Sequence, residues 1–179
     1  MSGHNKWSKI KHKKAATDAT KSKVFSKHAT LIAMESRKTN GDINSPSLVA
    51  AIDRAKKDSM PKDNIDRAVA KGSGASGATI EEVMFEGYGP GGVAMIILAV
   101  TDNNNRTAPE IRHIFNKAGF ELGTPGSAVW AFSKTAEGYV PSIPLELDDN
   151  TGEKLADLIE KLEDNDDVTD VFTTADTSE

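Results

Sequence analysis

The longest apolar run in the chain, Val93 to Val100, is eight residues long, with Gly89-Pro90-Gly91-Gly92 before it and Thr101-Asp102-Asn103-Asn104-Asn105 after it. A short unbroken run bounded by turn residues reads as a buried strand, and it falls far below the roughly 20 residues needed to span a bilayer. The segment before it, Ile80 to Tyr88, reads as a second strand with Val83 and Phe85 on one face. The glycine-rich turn between them joins the two.

Apolar spacing differs upstream of this pair. From Asp18 to Lys38, Val24, Phe25, His28, Leu31 and Ile32 recur at helical intervals, with Thr17 or Asp18 available as the N-cap. On a 100° wheel Lys23, Ser26, Lys27, Thr30 and Arg37 gather opposite that stripe, so this helix is expected to pack inward and present donors outward. Asn40-Gly41-Asp42 stops it. Ser45 and Pro46 open a second helix with Leu48, Val49, Ile52 and Ala55 facing in, and Pro61 opens a third with Ile65, Ala68 and Val69. Downstream, Thr107-Ala108-Pro109-Glu110 has the form of a capping box and is expected to start a helix that stops before Gly119. A strand is expected over 128–132, a Pro-containing connection through Pro141 and Pro144, a helix through Leu155, Leu158, Ile159 and Leu162, and a last strand over 168–173. The expected class is α+β: an N-terminal three-helix domain followed by a small, mostly antiparallel sheet domain with helices on one face. The expected organisation is a basic arm plus helical domain over 1–71, a Gly/Ser linker over 72–79, and an α+β domain over 80–179.

Charge divides along the same line. Residues 1–71 hold 16 Lys+Arg against 7 Asp+Glu, whereas residues 72–179 hold 6 against 20, within a chain of net charge −5. Eight of the lysines fall in the first thirty residues, facing one acid, Asp18. Counterion release rewards lysines that reach a phosphate backbone together, and the acidic remainder repels the same polymer. A polyanion should therefore meet the N-terminal end. The candidate contacts are Lys6, Trp7, Lys9, Lys11, His12, Lys13, Lys14, Lys21, Lys23 and Lys27. Trp7 either stacks on an unpaired base or anchors the arm to the helical domain.

Catalytic patterns are weak. The chain has no cysteine, and its four histidines, His4, His12, His28 and His113, form no pair at metal-ligand spacing. Gly72-Ser73-Gly74-Ala75-Ser76-Gly77 matches G-x-G-x-x-G, but a helix precedes it and a strand follows, the reverse of the dinucleotide-binding context. Asp148 to Gly152 begins like a calcium loop, yet Ile159 stands where the closing glutamate belongs. Glu163 to Asp167 reads as a solvated acidic turn. No enzyme, metal or cofactor is expected. Asn103, Asn104, Asn105 and Arg106 form a loop between a buried strand and a helix N-terminus, where an anion or a partner would find backbone donors and a guanidinium. No secretory or Arg-rich organellar leader is read at the start, and the chain is expected to be cytoplasmic, membrane-free and monomeric.

Three blocks in order resemble the YebC family. These are Met1-Ser2-Gly3-His4-Asn5-Lys6-Trp7-Ser8-Lys9-Ile10-Lys11-His12-Lys13-Lys14, then Met60-Pro61-Lys62-Asp63-Asn64-Ile65-Asp66-Arg67-Ala68, then Phe85 to Gly92 continuing through Thr101 to Thr107 and Gly126 to Phe132. The resemblance covers residues 1 to about 134, and Leu145 to Ala175 resembles the family's C-terminal segment. It implies a helical domain, an α/β domain and a third domain inserted late in the second. The chain departs there, because only a short connection lies over 133–145. The resemblance also implies a regulator of gene expression, either a DNA-binding transcriptional regulator or a ribosome-associated translational activator contacting ribosomal RNA. A protein-interaction module is the third reading.

Overall fold

The computed structural model describes the backbone of residues 18–176 and side chains from residue 21 onward. The helical part comprises α1 (Asp18–Lys38), α2 (Pro46–Lys57) and α3 (Lys62–Gly72). The expected cap of α1 at Thr17 or Asp18 lies outside the described side chains. Ser45 takes the extended conformation of an N-cap, with Pro46 at the first helical position, though its hydroxyl makes no capping bond. Ile32, Leu48, Ala51, Ala55, Met60, Ile65 and Ala68 close a common core.

The contact between α1 and α3 is unusually close at Gly72. A Cβ there would lie 2.1 Å from the Ala33 carbonyl oxygen and 2.6 Å from Ser36 Cβ. Ser36, fully buried, donates its hydroxyl to the Val69 carbonyl at 2.7 Å. Gly72, expected as the start of a linker, is therefore the packed last residue of a helix. The turn beyond it is itself hydrogen-bonded, Ser76 N to Ala70 O and Gly77 N to Gly74 O, and the chain re-enters the interior at Ile80.

The sheet part runs β1 (Glu81–Tyr88), β2 (Ala94–Thr101), α4 (Asn104–Lys117), β3 (Phe132–Thr135), β4 (Gly138–Pro141), α5 (Asp149–Glu163) and β5 (Val168–Thr173). The three-stranded sheet has the order β1-β2-β5, with both pairings antiparallel. Its central strand is the apolar run with which the sequence is most marked. Met95, Ile97 and Ala99 face α4 and α5, meeting Ile111, Phe115, Leu155, Leu158 and Leu162. On the opposite face Ala94 and Ile96 meet Ala128, Phe132 and Phe172, while Val100 and Ile80 meet Ala33 of α1. Burial on both faces explains why the strand shows no polar alternation.

Two expectations fail locally. Residues 129–131 form a 3-10 turn rather than a strand, and Phe132 begins β3 instead. The stretch over 133–145 contains the β3–β4 hairpin, not a plain connection: Phe132 pairs with Pro141 and Thr135 with Gly138. Gly138 (φ +127) makes the reversal against the Phe172 ring, and Tyr139 sits edge-on to both Phe132 and Phe172. Pro141 ends the hairpin strand, where its missing N–H costs no ladder bond. Among the described residues no helix is long and apolar enough to cross a membrane.

Candidate nucleic-acid interface

Seven of the expected contacts, Lys6, Trp7, Lys9, Lys11, His12, Lys13 and Lys14, lie outside the described residues. Lys21 and Lys23 stand exposed at the start of α1. Lys27 does something else. Its Nζ donates to the carbonyls of Asn165, at 2.5 Å, and Val168. Burial pushes its pKa down, with the carboxylates of Asp166, Glu163, Asp164 and Asp167 opposing that shift. The neighbouring polar residues of α1 follow it: Lys23 pairs with Asp164 at 3.1 Å, and Thr30 donates to the Asp166 carbonyl at 3.1 Å.

The part of the α1 polar face that carries Lys23, Lys27 and Thr30, expected to point outward, is thus the seam between the helical and sheet parts, while Arg37 stays exposed. Of the apolar stripe Ile32 and Phe25 join the helical core, while Ala33 and Ser36, outside that stripe, are buried as well. What a wheel cannot show is that the turn over 163–167, expected to be solvated, supplies a matching set of oxygens. That turn is the second half of the seam, and the complementarity of a lysine-bearing helix with an acidic turn was the signal available for finding it.

The Asn103–Arg106 loop is also committed internally. The helix starts at Asn104 with Asn103 as N-cap, four residues earlier than the capping-box letters suggest. Thr107 is consequently inside α4 and fully buried. Its Oγ1 donates to Asp167 Oδ2 at 2.6 Å and lies 2.8 Å from Thr101 Oγ1, which accepts from Asn103 N at 2.9 Å. Arg106 Nη2 reaches Asp167 Oδ2 at 2.8 Å and Asp102 Oδ1 at 3.2 Å. Its pKa is raised, first by the bond to Asp167. Lys71 from α3 bridges to Asp102 Oδ2 at 2.8 Å, and that bond leads the causes holding the Asp102 carboxyl below its ordinary value. Arg106 is therefore neutralised by two carboxylates, leaving little field for an anion at the start of α4.

A second anionic group, unmarked in the sequence, lies toward the other end of β2. Glu86 is 2 % exposed. Its Oε1 accepts from Gly126 N at 2.7 Å, and its Oε2 accepts from Ala128 N at 2.8 Å and Val129 N at 2.7 Å. Burial pushes this carboxyl up, but the three N–H donors outweigh burial and hold it below the usual carboxylate value. It fixes the Gly126–Val129 loop, from which Trp130 stands out at 72 % exposure. The Trp130 indole N–H is held between Tyr88 Oη and the Ser127 carbonyl.

The cationic surface left to a polyanion is outside the seam. Arg37, Arg54, Lys57 and Arg67 are exposed and form no ion pair with another described side chain. Among the described residues no group of three or more His, Asp or Glu is placed to hold a metal ion.

Comparison with known proteins agrees with this architecture. The family model described as TACO1/YebC protein N-terminal domain matches residues 5–75, and that described as TACO1/YebC second and third domain matches residues 80–138. A protein of Desulforapulum autotrophicum named probable transcriptional regulatory protein is 48% identical over 153 residues, covering 84% of this chain and 61% of that protein. One of the same name from Thermotoga maritima is 52% identical over 136 residues, covering 75% and 54%. The chain thus spans little more than half the length of these relatives. A conserved hypothetical protein from Aquifex aeolicus, solved by crystallography, superposes with a TM-score of 0.81 at 31% identity, covering 93% of this chain and 95% of that one. Matches to both family models, in order and over most of the residues, place this chain in the TACO1/YebC family.

Proposed function

We propose that this protein is a non-enzymatic, nucleic-acid-binding regulator of gene expression in the cytoplasm, in which the arm over residues 6–14 makes the phosphate contacts. The observation that carries this reading is the charge split, 16 Lys+Arg against 7 Asp+Glu in residues 1–71 and the reverse beyond. Lys23 and Lys27 are drawn into the seam, so of the α1 polar face only Arg37, among the described residues, is left exposed as a free cation. Phosphate binding then rests on the arm, Lys21 and the outer arginines and lysines of α2 and α3. The longer relatives are named probable transcriptional regulatory proteins, which favours a role in transcription.

A second reading, contact with ribosomal RNA during translation, is favoured by one specific feature. A helix that enters a major groove must offer a free face to base edges, and the Lys27–Thr30 face of α1 is closed by the 163–167 turn.

Both readings require the arm. If about six lysines engage B-DNA, the log-log salt slope should be near −5, from roughly 0.9 per phosphate. Lys11→Ala with Lys13→Ala and Lys14→Ala should weaken binding equally across sequences in fluorescence anisotropy. Unchanged affinity in the triple variant overturns the arm. Crosslinking followed by sequencing separates the targets: promoter peaks mark transcription and ribosomal RNA footprints mark translation.

A further inference from the structure

An open cleft of about 360 Å³ lies between α1, α3 and the far end of β2. It sits at the small end of the range of roughly 300–1,000 Å³ typical of small-molecule sites. Apolar surface is supplied by Phe25, half-buried on α1, and by Met60 ahead of α3. Polar groups come from four elements: the Ser26 hydroxyl on α1, Lys71 and the Asn64 amide on α3, the latter accepting from the Arg67 guanidinium, the Asp102 carboxylate beyond β2, and Asp167 ahead of β5. Ser22 also lines the cleft, next to the exposed Lys21 in the first turn of α1, while Lys23 is committed to Asp164. A strand held at Lys21 would therefore lie beside this opening.

We propose that the cleft receives one unpaired nucleotide of a single-stranded nucleic acid. This inference rests on the arm reading for the strand but not for the cleft itself. Volume decides against a duplex, since a base locked in the stack cannot reach a concave site without leaving it. Charge sets the orientation. Asp102 at the inner end is balanced by Lys71 and Arg106 and offers phosphate no net attraction, whereas Arg67 is exposed at the rim, so the phosphate stays outside on Arg67 and the base enters. Phe25 offers an aromatic ring to a base, a contact that tolerates any sequence. Asp102 accepts only, and its carboxylate has lone pairs beyond those used by Lys71 and Arg106. It therefore favours a base bearing an exocyclic amino group, adenine, cytosine or guanine, over uracil or thymine.

The test uses the full chain and two measurements. Amide NMR spectra titrated with AMP, CMP, GMP and UMP should shift at Phe25, Thr30, Arg67 and Ile80, with CMP saturating at lower concentration than UMP. Ser26→Leu, which fills the cleft, should abolish the shifts. Anisotropy with a short single-stranded oligonucleotide should show Arg67→Ala weakening binding by about tenfold, the scale of one charge-assisted contact, with little change for a duplex of the same sequence. Absence of shifts with all four nucleotides overturns the site, as does an equal loss on single strand and duplex. Equal saturation by CMP and UMP overturns the role of Asp102. The arm variant separates the two proposals: nucleotide shifts that persist in it while strand affinity is unchanged remove the arm and leave the cleft. Loss of strand affinity in that variant, with no shifts in the wild type, removes the cleft and leaves the arm.

Discussion

Two anionic sites border β2, and they are satisfied in opposite ways. Glu86 is enclosed and accepts three backbone N–H groups from a single loop of the sheet part. Asp102 and Asp167 are partly exposed and held by side chains, Lys71 from the helical part and Arg106 and Thr107 from α4. Backbone donors in a fixed loop cost little side-chain entropy and are shielded from salt. Long cationic side chains at a surface lose entropy when fixed, and their attraction is screened. The first arrangement makes one part rigid, while the second joins two parts with a bond that solution conditions adjust.

Substitutions can break that contrast, and the largest effect belongs to Glu86. Glu86→Gln sets an amide –NH2 against backbone donors that keep their positions, leaving at least one N–H unpaired in the interior. The expected cost is about 2–3 kcal/mol, read as a lower denaturation midpoint, and it should be insensitive to salt. A loss below about 0.5 kcal/mol would remove the cradle's structural role. The same group sets an acid limit. Its folded pKa lies below its ordinary 4.5, so its stabilisation is fully present above that value and is lost as pH falls through the folded pKa. Urea titrations across the acid range should show a stability decrease that is shallower in Glu86→Gln, and parallel curves would contradict it.

Smaller effects belong to the seam. Thr107→Val keeps the shape but removes the hydroxyl between Asp167 and Thr101, at an expected cost of about 1–2 kcal/mol. Lys71→Met removes one cation from a solvent-accessible pair and should cost under about 1 kcal/mol. High salt should shrink the Lys71→Met effect and leave the Glu86→Gln effect intact. If both respond to salt alike, the distinction between the two sites fails.

Much of the fold is legible in local chemistry. Pro46 fixes the start of α2, Gly119 ends the region of α4, and the strand expected over 168–173 matches β5 in full. Errors arise where local chemistry has two outlets. Thr107 matches a capping box, yet the chain turns earlier at Asn103 and the hydroxyl is used against Asp167, sixty residues away. Lys27 looks like a surface lysine because nothing near it in the sequence reveals carbonyls at 165 and 168. Glu86 is one acid in a strand, and its three donors lie some forty residues downstream. The candidate interface shows the same limit, since charge density marks the basic end but pairing decides which cations stay available.

The position of β5 has a consequence for how the molecule is made. Its strand zips onto β2 across some seventy residues of intervening chain, and the turn before it also receives Lys27 of α1. Until that segment is synthesised, β2 can pair on one side only, with β1, and the first helix has no acceptor for its inward ammonium. Early elements must wait for late ones. A nascent chain therefore carries an unpaired apolar strand edge from the completion of β2 until β5 emerges, a state prone to association with other chains, and arrival of β5 pairs that edge and closes the seam in one step.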